Sequence, residues 1–550
     1  MRNTEQIAFE YRRWLEKAAA DNELFAELKS MNEAQIEDAF YRDLAFGTGG
    51  LRGTIGAGTN RMNVYTVAKA SQGLSRYLGA GSSIVIGYDT RIKSDLFARV
   101  AAGVFAANGI RVHLWSEPLP VPTVSYAVRH LKASAGVMIT ASHNPSIYNG
   151  YKVYGADGCQ ITTEAASAIL AQIEKVDYFE PAINTEPDVE YISEDVLSAF
   201  IERVKRESVL FGDKIDRDVA IVYSPLNGTG LKPVTRVLLE SGYTNITVVE
   251  EQREPDGRFP TCPYPNPEIR EAMELGIQYC RKTGADLLLA TDPDCDRCGI
   301  AVKDGEDYRT LSGNEVGLLL LDYICSQRAK HNKMPDEPVF IKTIVTMDLA
   351  ERIAAHYGVR TLNVLTGFKF IGEQIGCLEK KGKEKDYICG FEESYGYLTG
   401  SYVRDKDAVN AAFMICEMFA YYKTRGISLI DKLEQLWETY GYCLNTLHSY
   451  EFPGSAGMTK MQELMQDFRR GIEEIGGLKV RKTLDYSTGI DGLPSSDVLK
   501  FILQDDCSFV VRPSGTEPKL KVYISVSAVN EKAARALEKR LTDELSTRMR

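Results

Sequence analysis

Apolar residues recur at helical spacing near the start of the chain. Ile7, Tyr11, Trp14, Leu15 and Ala18 share one face and predict an amphipathic helix over residues 4–30. The pattern then changes period. Short β-branched runs feed polar loops at SIVIGYDTR (83–91), VAIVYSPLNGTG (219–230) and VFIKTIVT (339–346). Roughly 45–70 residues after each comes a second run of the same kind, at AGVMITASHNP (135–145), ADLLLATDPDCDR (285–297) and DYICGFEESYGY (386–397). Helical patterns such as SDLFARVAAGVFAANG (94–109) and KPVTRVLLESG (232–242) lie between the partners. Strand, helix, strand in that order predicts three related α/β domains with mixed, largely parallel sheets, whose ligands sit off the carboxyl ends of the strands.

The last part of the chain reads differently. In SFVVRPSGTEPKLKVYISVSA (508–528) two strands flank a Gly/Pro/Ser/Thr loop, and Leu520, Val522, Ile524 and Val526 alternate onto one face. A closing helix begins near Asn530 and carries Ala534, Leu537, Leu541 and Leu545 on one stripe. This predicts a smaller C-terminal α+β domain. With the charged helix AFIERVKRESVL (199–210) as the first boundary, the expected domains are 1–205, 206–310, 311–440 and 441–550.

Composition narrows the function classes. At 550 residues the chain exceeds what one core can serve. A net charge of −11 argues against general binding to nucleic acid or membrane surfaces, so any anionic ligand must meet locally concentrated cations. The N-terminal stretch is charged throughout, unlike a signal peptide, and the longest apolar runs, such as GLLLLDYI, are too short to span a bilayer. Eleven scattered cysteines, an odd number, read as reduced thiols and place the chain in the cytoplasm.

The polar loops after the second strands carry the densest chemistry. In TDPDCDRCG, Asp292, Asp294 and Asp296 alternate after an apolar strand, and in an extended loop they would point three carboxylates to one side, a set suited to Mg²⁺. An Asp-rich turn would use the same residues. Cys295 and Cys298 form a CxxC, but no matching pair exists elsewhere to complete a zinc site. In RPSGTEPKLK, Arg512, Ser514, Gly515, Thr516 and Lys519 form a compact anion cradle, a composition that a plain hairpin turn does not need. GFEESYGY offers Glu392, Glu393 and Ser394, suited to sugar hydroxyls or simply a solvated turn. FGTGGLRG (46–53) is glycine-rich without the Rossmann spacing and follows no clear strand; it either aims Arg52 or is only a loop. Ser142, in TASHNP, lacks the surroundings of a hydrolase nucleophile, and no Walker A sequence is present. A serine beside a metal site and several cations fits a phosphoryl acceptor better than an acyl one.

In order along the chain, GGLRG, TASHNP, NGYK, DPDCDR, TGFKF, FEESYG, RDKD and RPSGTEPK resemble the motifs of the α-D-phosphohexomutase superfamily, in its phosphoglucomutase-type (phosphoglucomutase/phosphomannomutase) branch. The resemblance implies four domains around a central cleft, and an isomerase that passes a phosphoryl group between the 1- and 6-positions of glucose through an enzyme phosphoserine and a glucose 1,6-bisphosphate intermediate. It implies Ser142 as carrier and as a ligand, with Asp292, Asp294 and Asp296, of Mg²⁺. It implies Arg52, His143, Lys152 and Lys406 as catalytic, and Arg297, Thr366, Gly367, Glu392, Ser394, Arg404, Arg512, Ser514, Gly515, Thr516 and Lys519 as contacts to a phosphorylated hexose. Tyr395 and Gly396 stand where many phosphomannomutases carry Gly-His, which favours glucose over mannose and leaves pentose phosphates as the alternative sugar. A catalytically silent sugar-phosphate sensor would be free to lose Ser142 or one of the three aspartates, and all four are present. The resemblance leaves the oligomeric state open.

Overall fold

A computed structural model of the chain describes residues 1–19, 21–47, 49–452, 454–490, 492–514 and 519–549, with residues 454–456 described by backbone alone. Gly515 and Thr516 of the anion cradle lie outside the described residues. The chain divides into two compact units. One is Met1–Leu311 with Ile371–Tyr387 and Tyr395–Tyr421; the other is Ser312–Phe370 with Ile388–Ser394 and Tyr422–Arg550.

Among the described residues, the first unit holds two mixed sheets. In strand order, the first runs Phe46–Gly47, Gly50–Thr54, Tyr148–Gly155, Ala135–Ile139, Ser83–Tyr88, Arg111–Leu114, Glu190–Tyr191. Ser83–Tyr88 pairs in parallel with both its neighbours, whereas Tyr148–Gly155 is antiparallel to both of its own. The second sheet repeats this plan: Ile221–Ser224 is parallel to its neighbours, and Cys298–Asp304 is antiparallel to Leu287–Thr291 and Asp307–Leu311. Parallel and antiparallel pairs are therefore balanced within each sheet, against the expected parallel majority. The reason is local. Each functional loop is followed at once by a strand that folds straight back, and a return without a crossover must be antiparallel.

Two further sequence expectations change. The N-terminal helix is broken in two, Thr4–Lys17 and Asn22–Ser30, because Asp21 accepts a hydrogen bond from Leu24 N and caps a new start. The glycine-rich 46–53 segment is not a free loop: Gly50–Thr54 is a strand paired to Tyr148–Gly155. Gly50 has φ +138°, and a Cβ there would lie 1.7 Å from Tyr151 O, so only glycine permits this pairing.

The second unit contains the parallel strands Val339–Thr343 and Arg360–Val364, and a C-terminal antiparallel sheet running from Tyr442–Glu451 through Lys519–Ala528, Ser508–Pro513 and Leu499–Leu503 to Leu478–Asp485. Leu520, Val522, Ile524 and Val526 are all buried in its core with Leu541 and Leu545 of the helix Glu531–Met549, as their alternation and stripe predict. Ile344, Val345 and Leu365 pack with Tyr486, Val498 and Val510, so apolar burial joins the two parts of this unit.

Candidate active site

Ser142 lies just past the strand Ala135–Ile139 and is 4% exposed. Its backbone is left-handed, φ +53°, a conformation uncommon outside glycine and found at strained, over-determined sites. The over-determination is visible. Ser142 N donates to Thr140 Oγ1 at 2.9 Å, and the guanidinium of Arg91 gathers the loop's carbonyls. Arg91 Nη1 donates to Pro145 O at 3.0 Å and Tyr148 O at 3.1 Å; Nη2 donates to Ser142 O at 2.5 Å and to Asn144 O. Arg91 is itself held by the buried carboxylate of Asp89, 3.3 Å from its Nε. Sequence reasoning passed over this pair. The available signal was the YDTR ending of SIVIGYDTR, an acid and a base placed where a strand delivers its loop.

The serine hydroxyl donates to Asp292 Oδ2 at 2.9 Å and lies 3.2 Å from His143 Nδ1. Burial, then Arg297 and Arg52, push the His143 imidazole well below its ordinary pKa, which favours the neutral ring. Arg52, on the strand Gly50–Thr54, donates to Asn144 Oδ1 at 3.3 Å.

The three aspartates converge, though not by extended alternation. Asp292 to Asp296 form a tight turn in which Cys295 N donates to Asp292 O at 2.9 Å and Cys295 is left-handed at φ +51°. Asp292 Oδ1 also accepts from Asp296 N and Arg297 N, which curls the loop around that carboxylate. One carboxylate oxygen from each aspartate lies within 4.8 Å of the others, and all three side chains are buried. Two ammonium groups answer them. Lys152 Nζ is 2.9 Å from Asp294 Oδ2 and 3.4 Å from Asp296 Oδ2, and Lys406 Nζ is 3.1 Å from Asp296 Oδ2. Burial works to raise the carboxyls of both Asp294 and Asp292. At Asp294 it is outweighed by Lys152 and Lys406, which hold the group at about 2, whereas at Asp292 the neighbouring Asp294 and Asp296 add to burial and push it well up.

The donor set fits a divalent cation. Asp294 Oδ1 and Asp296 Oδ1 are buried and accept no hydrogen bond, a costly state that a hard cation would relieve. Cys295 and Cys298 do not compete for that role: both are fully buried, and burial raises both thiols, which leaves them inert packing groups.

The remaining candidates fall into separate settings. Arg297 forms an ion pair with Glu268 while its Nε lies 3.9 Å from Asp296 Oδ1. Arg404 is fully buried. Its guanidinium pairs with Glu379 at 2.7 Å and donates to Ser401 O and Val403 O, so it braces its own loop. In the second unit, Glu392 Oε1 accepts from Gly367 N at 3.0 Å, which ties the FEESYG and TGFKF segments together, and Thr366 Oγ1 is buried without a hydrogen bond. Ser394 follows two positions on, where the chain leaves the strand Tyr387–Phe391. Arg512 and Lys519 stand where the two C-terminal strands converge on the cradle loop; Ser514 N donates to Lys519 O at 2.7 Å, and Lys519 pairs with Glu451 at 3.2 Å.

A mixed α/β frame presenting a strained serine to a buried acidic triad defines a metal-assisted phosphoryl-transfer protein rather than a hydrolase. Comparison with known proteins gives the family. Models of phosphoglucomutase/phosphomannomutase alpha/beta/alpha domains I, II and III match residues 43–180, 198–305 and 312–440, and that of the C-terminal domain matches 460–544. The chain is similar to phosphoglucomutases of Staphylococcus saprophyticus (37% identical over 533 residues, 92% of this chain and 95% of that one) and Staphylococcus aureus (37% over 537 residues, 94% and 95%). The fold is similar to that of a phosphoglucomutase/phosphomannomutase family protein from Burkholderia thailandensis (TM-score 0.68, 19% identity, covering 92% of this chain and 97% of that one). It is also similar to the open form of parafusin from Paramecium (TM-score 0.68, 18%, 92% and 95%). The chain belongs to the phosphoglucomutase/phosphomannomutase family.

Proposed function

We propose that this chain is a phosphoglucomutase that interconverts α-D-glucose 1-phosphate and glucose 6-phosphate. The observation that carries the reading is the Ser142 hydroxyl, held 2.9 Å from Asp292 in a triad that retains two unfilled oxygens. Its relatives named phosphoglucomutase, at 37% identity over nearly the whole length, support glucose as the sugar.

Asp292, Asp294 and Asp296, with an oxygen on Ser142, would hold Mg²⁺, which when bound supplies positive charge to the transferring phosphoryl oxygens. The chain's own residues do the rest. Ser142 carries the phosphoryl group. Its O–P bond breaks as a bond forms to the free hydroxyl of the sugar phosphate, and the proton of that hydroxyl passes to a basic group of the site. The bisphosphate then turns, and its other phosphoryl returns to Ser142. Arg91 fixes the loop that aims the serine, while Arg52 and Arg297 add positive charge. Lys152 and Lys406, anchored on Asp294 and Asp296, are the cations placed to hold or move a proton at the reacting oxygens. Glu392 and Ser394 read sugar hydroxyls, with Thr366 and Gly367 beside them, and Arg512, Ser514, Gly515, Thr516 and Lys519 grip the phosphate that is not in transfer.

We place the enzyme in the cytoplasm, supported by its eleven cysteines, which among the described residues form no disulfide. Among the described residues, no helix is long and apolar enough to cross a membrane. The test is turnover of glucose 1-phosphate, mannose 1-phosphate and ribose 1-phosphate at matched concentrations with Mg²⁺ and catalytic glucose 1,6-bisphosphate. Glucose 1-phosphate should have the highest kcat/KM; a preference for ribose 1-phosphate would overturn the assignment of sugar, and no turnover of any would overturn the enzyme.

A further inference from the structure

A cavity lies in the first unit, on the reverse side of the strand that carries Arg52. It encloses about 270 Å³, a little below the ~300–1,000 Å³ of pockets that hold drug-sized ligands. Leu44, Phe46, Leu51, Leu170 and Ile173 give it apolar walls. Two charged groups of opposite sign, Asp43 and Lys69, stand among them, and their circumstances differ. Asp43 is satisfied: Arg2 Nη2 donates to its Oδ1 at 2.6 Å and Tyr178 OH at 2.7 Å. Lys69 is not. Its ammonium sits 4.1 Å from the centroid of the Tyr178 ring, and among the described residues it makes no hydrogen bond and no ion pair. Glu174, at the cavity's edge, is exposed to solvent. Burial lowers the Lys69 pKa and outweighs the attraction of Asp43 and Asp177, neither of which it touches.

An ammonium with an aromatic face on one side and no acceptor, set in apolar walls, selects its ligand on two counts. The charge asks for an anion, and the walls ask for an apolar body behind it. Inorganic phosphate and sugar phosphates meet the first requirement and fail the second. We propose that this cavity is a binding site for small monocarboxylates with an apolar body, such as benzoate or octanoate, the carboxylate paired with Lys69.

The site is placed to be felt elsewhere. Successive side chains of a strand point to opposite faces, so Leu51 walls the cavity while Arg52 reaches Asn144, two residues from Ser142. A ligand packed on Leu51 bears on the strand that aims Arg52. Occupancy should therefore alter kcat without competing with the sugar phosphate. This last consequence rests on the phosphoglucomutase reading; the binding itself does not.

The experiment measures binding of benzoate and octanoate to the full-length protein with Mg²⁺, by ligand-observed NMR and calorimetry up to ~10 mM, the range expected of ligands with so few atoms. Wild type should bind saturably, benzyl alcohol and inorganic phosphate should bind at least about tenfold more weakly, and Lys69→Met should lose about tenfold or more. Ile173→Trp, which fills the cavity and keeps the lysine, should abolish binding and guards against misfolding of the first variant. Ser142→Ala should bind as wild type does. No saturable binding to wild type, equal binding by both cavity variants, or displacement by glucose 1-phosphate would overturn the site. Saturable binding that leaves kcat unchanged in an active mutase would overturn the coupling to Arg52. Should the chain prove to have no mutase activity, the binding measurements still decide the site.

Discussion

Two clusters of buried charge, one in each unit, show the difference between a closed ionic site and an open one. In the second unit Lys342 is completely buried and spends its three donors on Thr346 O at 3.1 Å, Asp348 Oδ1 at 2.9 Å and Glu351 Oε1 at 3.1 Å. Lys500 adds a second cation on Asp348 Oδ1 at 2.9 Å, and Ser508 Oγ occupies Asp348 Oδ2. Two carboxylates face two ammonium groups, and both oxygens of Asp348 accept. In the first unit three carboxylates face two ammonium groups, and Asp294 Oδ1 and Asp296 Oδ1 accept nothing. Both arrangements carry the desolvation cost of burying ions. Only the closed one recovers it within the chain, by fastening the C-terminal sheet to the strand-and-helix part of its own unit. The open one is stabilised when something positive arrives.

That contrast predicts opposite consequences for substitution. The largest effect should come from Ser142→Ala, which removes the phosphoryl carrier and leaves the triad in place. Turnover should fall by ~10⁴ or more, about 5 kcal/mol of barrier, with the melting temperature near that of wild type. Intact mass should show a phosphate-sized excess on the wild-type peptide holding Ser142 and none on the variant. A fully active Ser142→Ala enzyme would remove the reason to regard the triad as open for catalysis.

Next in size, Asp294→Asn should lower kcat by ~10³ at saturating substrate, and chelation of Mg²⁺ should do the same to wild type. The comparison sharpens through stability. Asp294 is itself held low by Lys152 and Lys406, so its loss should cost the protein lacking Mg²⁺ some stability, but less than loss of Asp348, because Asp296 still pairs both lysines and Asp292 loses a like-charged neighbour. A strong destabilisation there would mean that the triad is as structural as the cluster around Asp348.

Asp348→Ala should do the reverse. It removes the carboxylate shared by the two lysines, leaving Lys342 with Glu351 and Lys500 without its ion-pair partner, so the second unit should lose about 3 kcal/mol of stability, while residual kcat per folded molecule changes little. A pH dependence follows. Burial works to raise the Asp348 carboxyl, but Lys342 and Lys500 outweigh it and hold the group well below the ordinary carboxylate value. A carboxyl depressed in the folded state contributes its full stability above the unfolded pKa near 4 and loses it as pH falls through the folded value. Denaturation measured from pH 6 downwards should therefore be steeper in wild type than in Asp348→Ala. Parallel curves would show that Asp348 titrates alike in both states.

These clusters also show where the sequence could be read and where it could not. The repeated strand-to-loop junctions, the triple aspartate and the alternating C-terminal strands were legible because each is written in consecutive residues. Tertiary partners were not. Nothing within RDKD shows that Arg404 is buried against Glu379, or that Asp405 accepts from Tyr154 OH at 2.9 Å. For Arg91 only half of the pairing was legible: the acid and base of YDTR stand in the sequence, but its partners at Ser142, Asn144, Pro145 and Tyr148 are backbone carbonyls, which leave no trace in side-chain identity. The convergence of the three aspartates was expected for the wrong geometry. Alternation in an extended loop would have sufficed on paper, but the proline at 293 and the left-handed Cys295 build a turn around Asp292 instead.

The smallest effect belongs to Arg512, and it separates binding from chemistry. Arg512 stands at the end of the strand Ser508–Pro513, opposite Lys521, at the mouth of the cradle loop. If it grips the phosphate that is not in transfer, the contact is made equally in the ground state and the transition state, so its loss should appear in KM and leave kcat almost intact. A charge-assisted hydrogen bond contributes ~1.5–3 kcal/mol, which sets the expected rise in KM of Arg512→Ala at about tenfold to a hundredfold. Arg512→Lys should recover part of it, since a point charge keeps the attraction and loses the bidentate geometry. Because the substrate presents each of its ends to the cradle in turn, KM should rise for glucose 1-phosphate and for glucose 6-phosphate alike. Steady-state kinetics in both directions check this. A collapse of kcat with KM unchanged would move Arg512 into the group that stabilises the transferring phosphoryl, beside Ser142 rather than at the far end of the sugar.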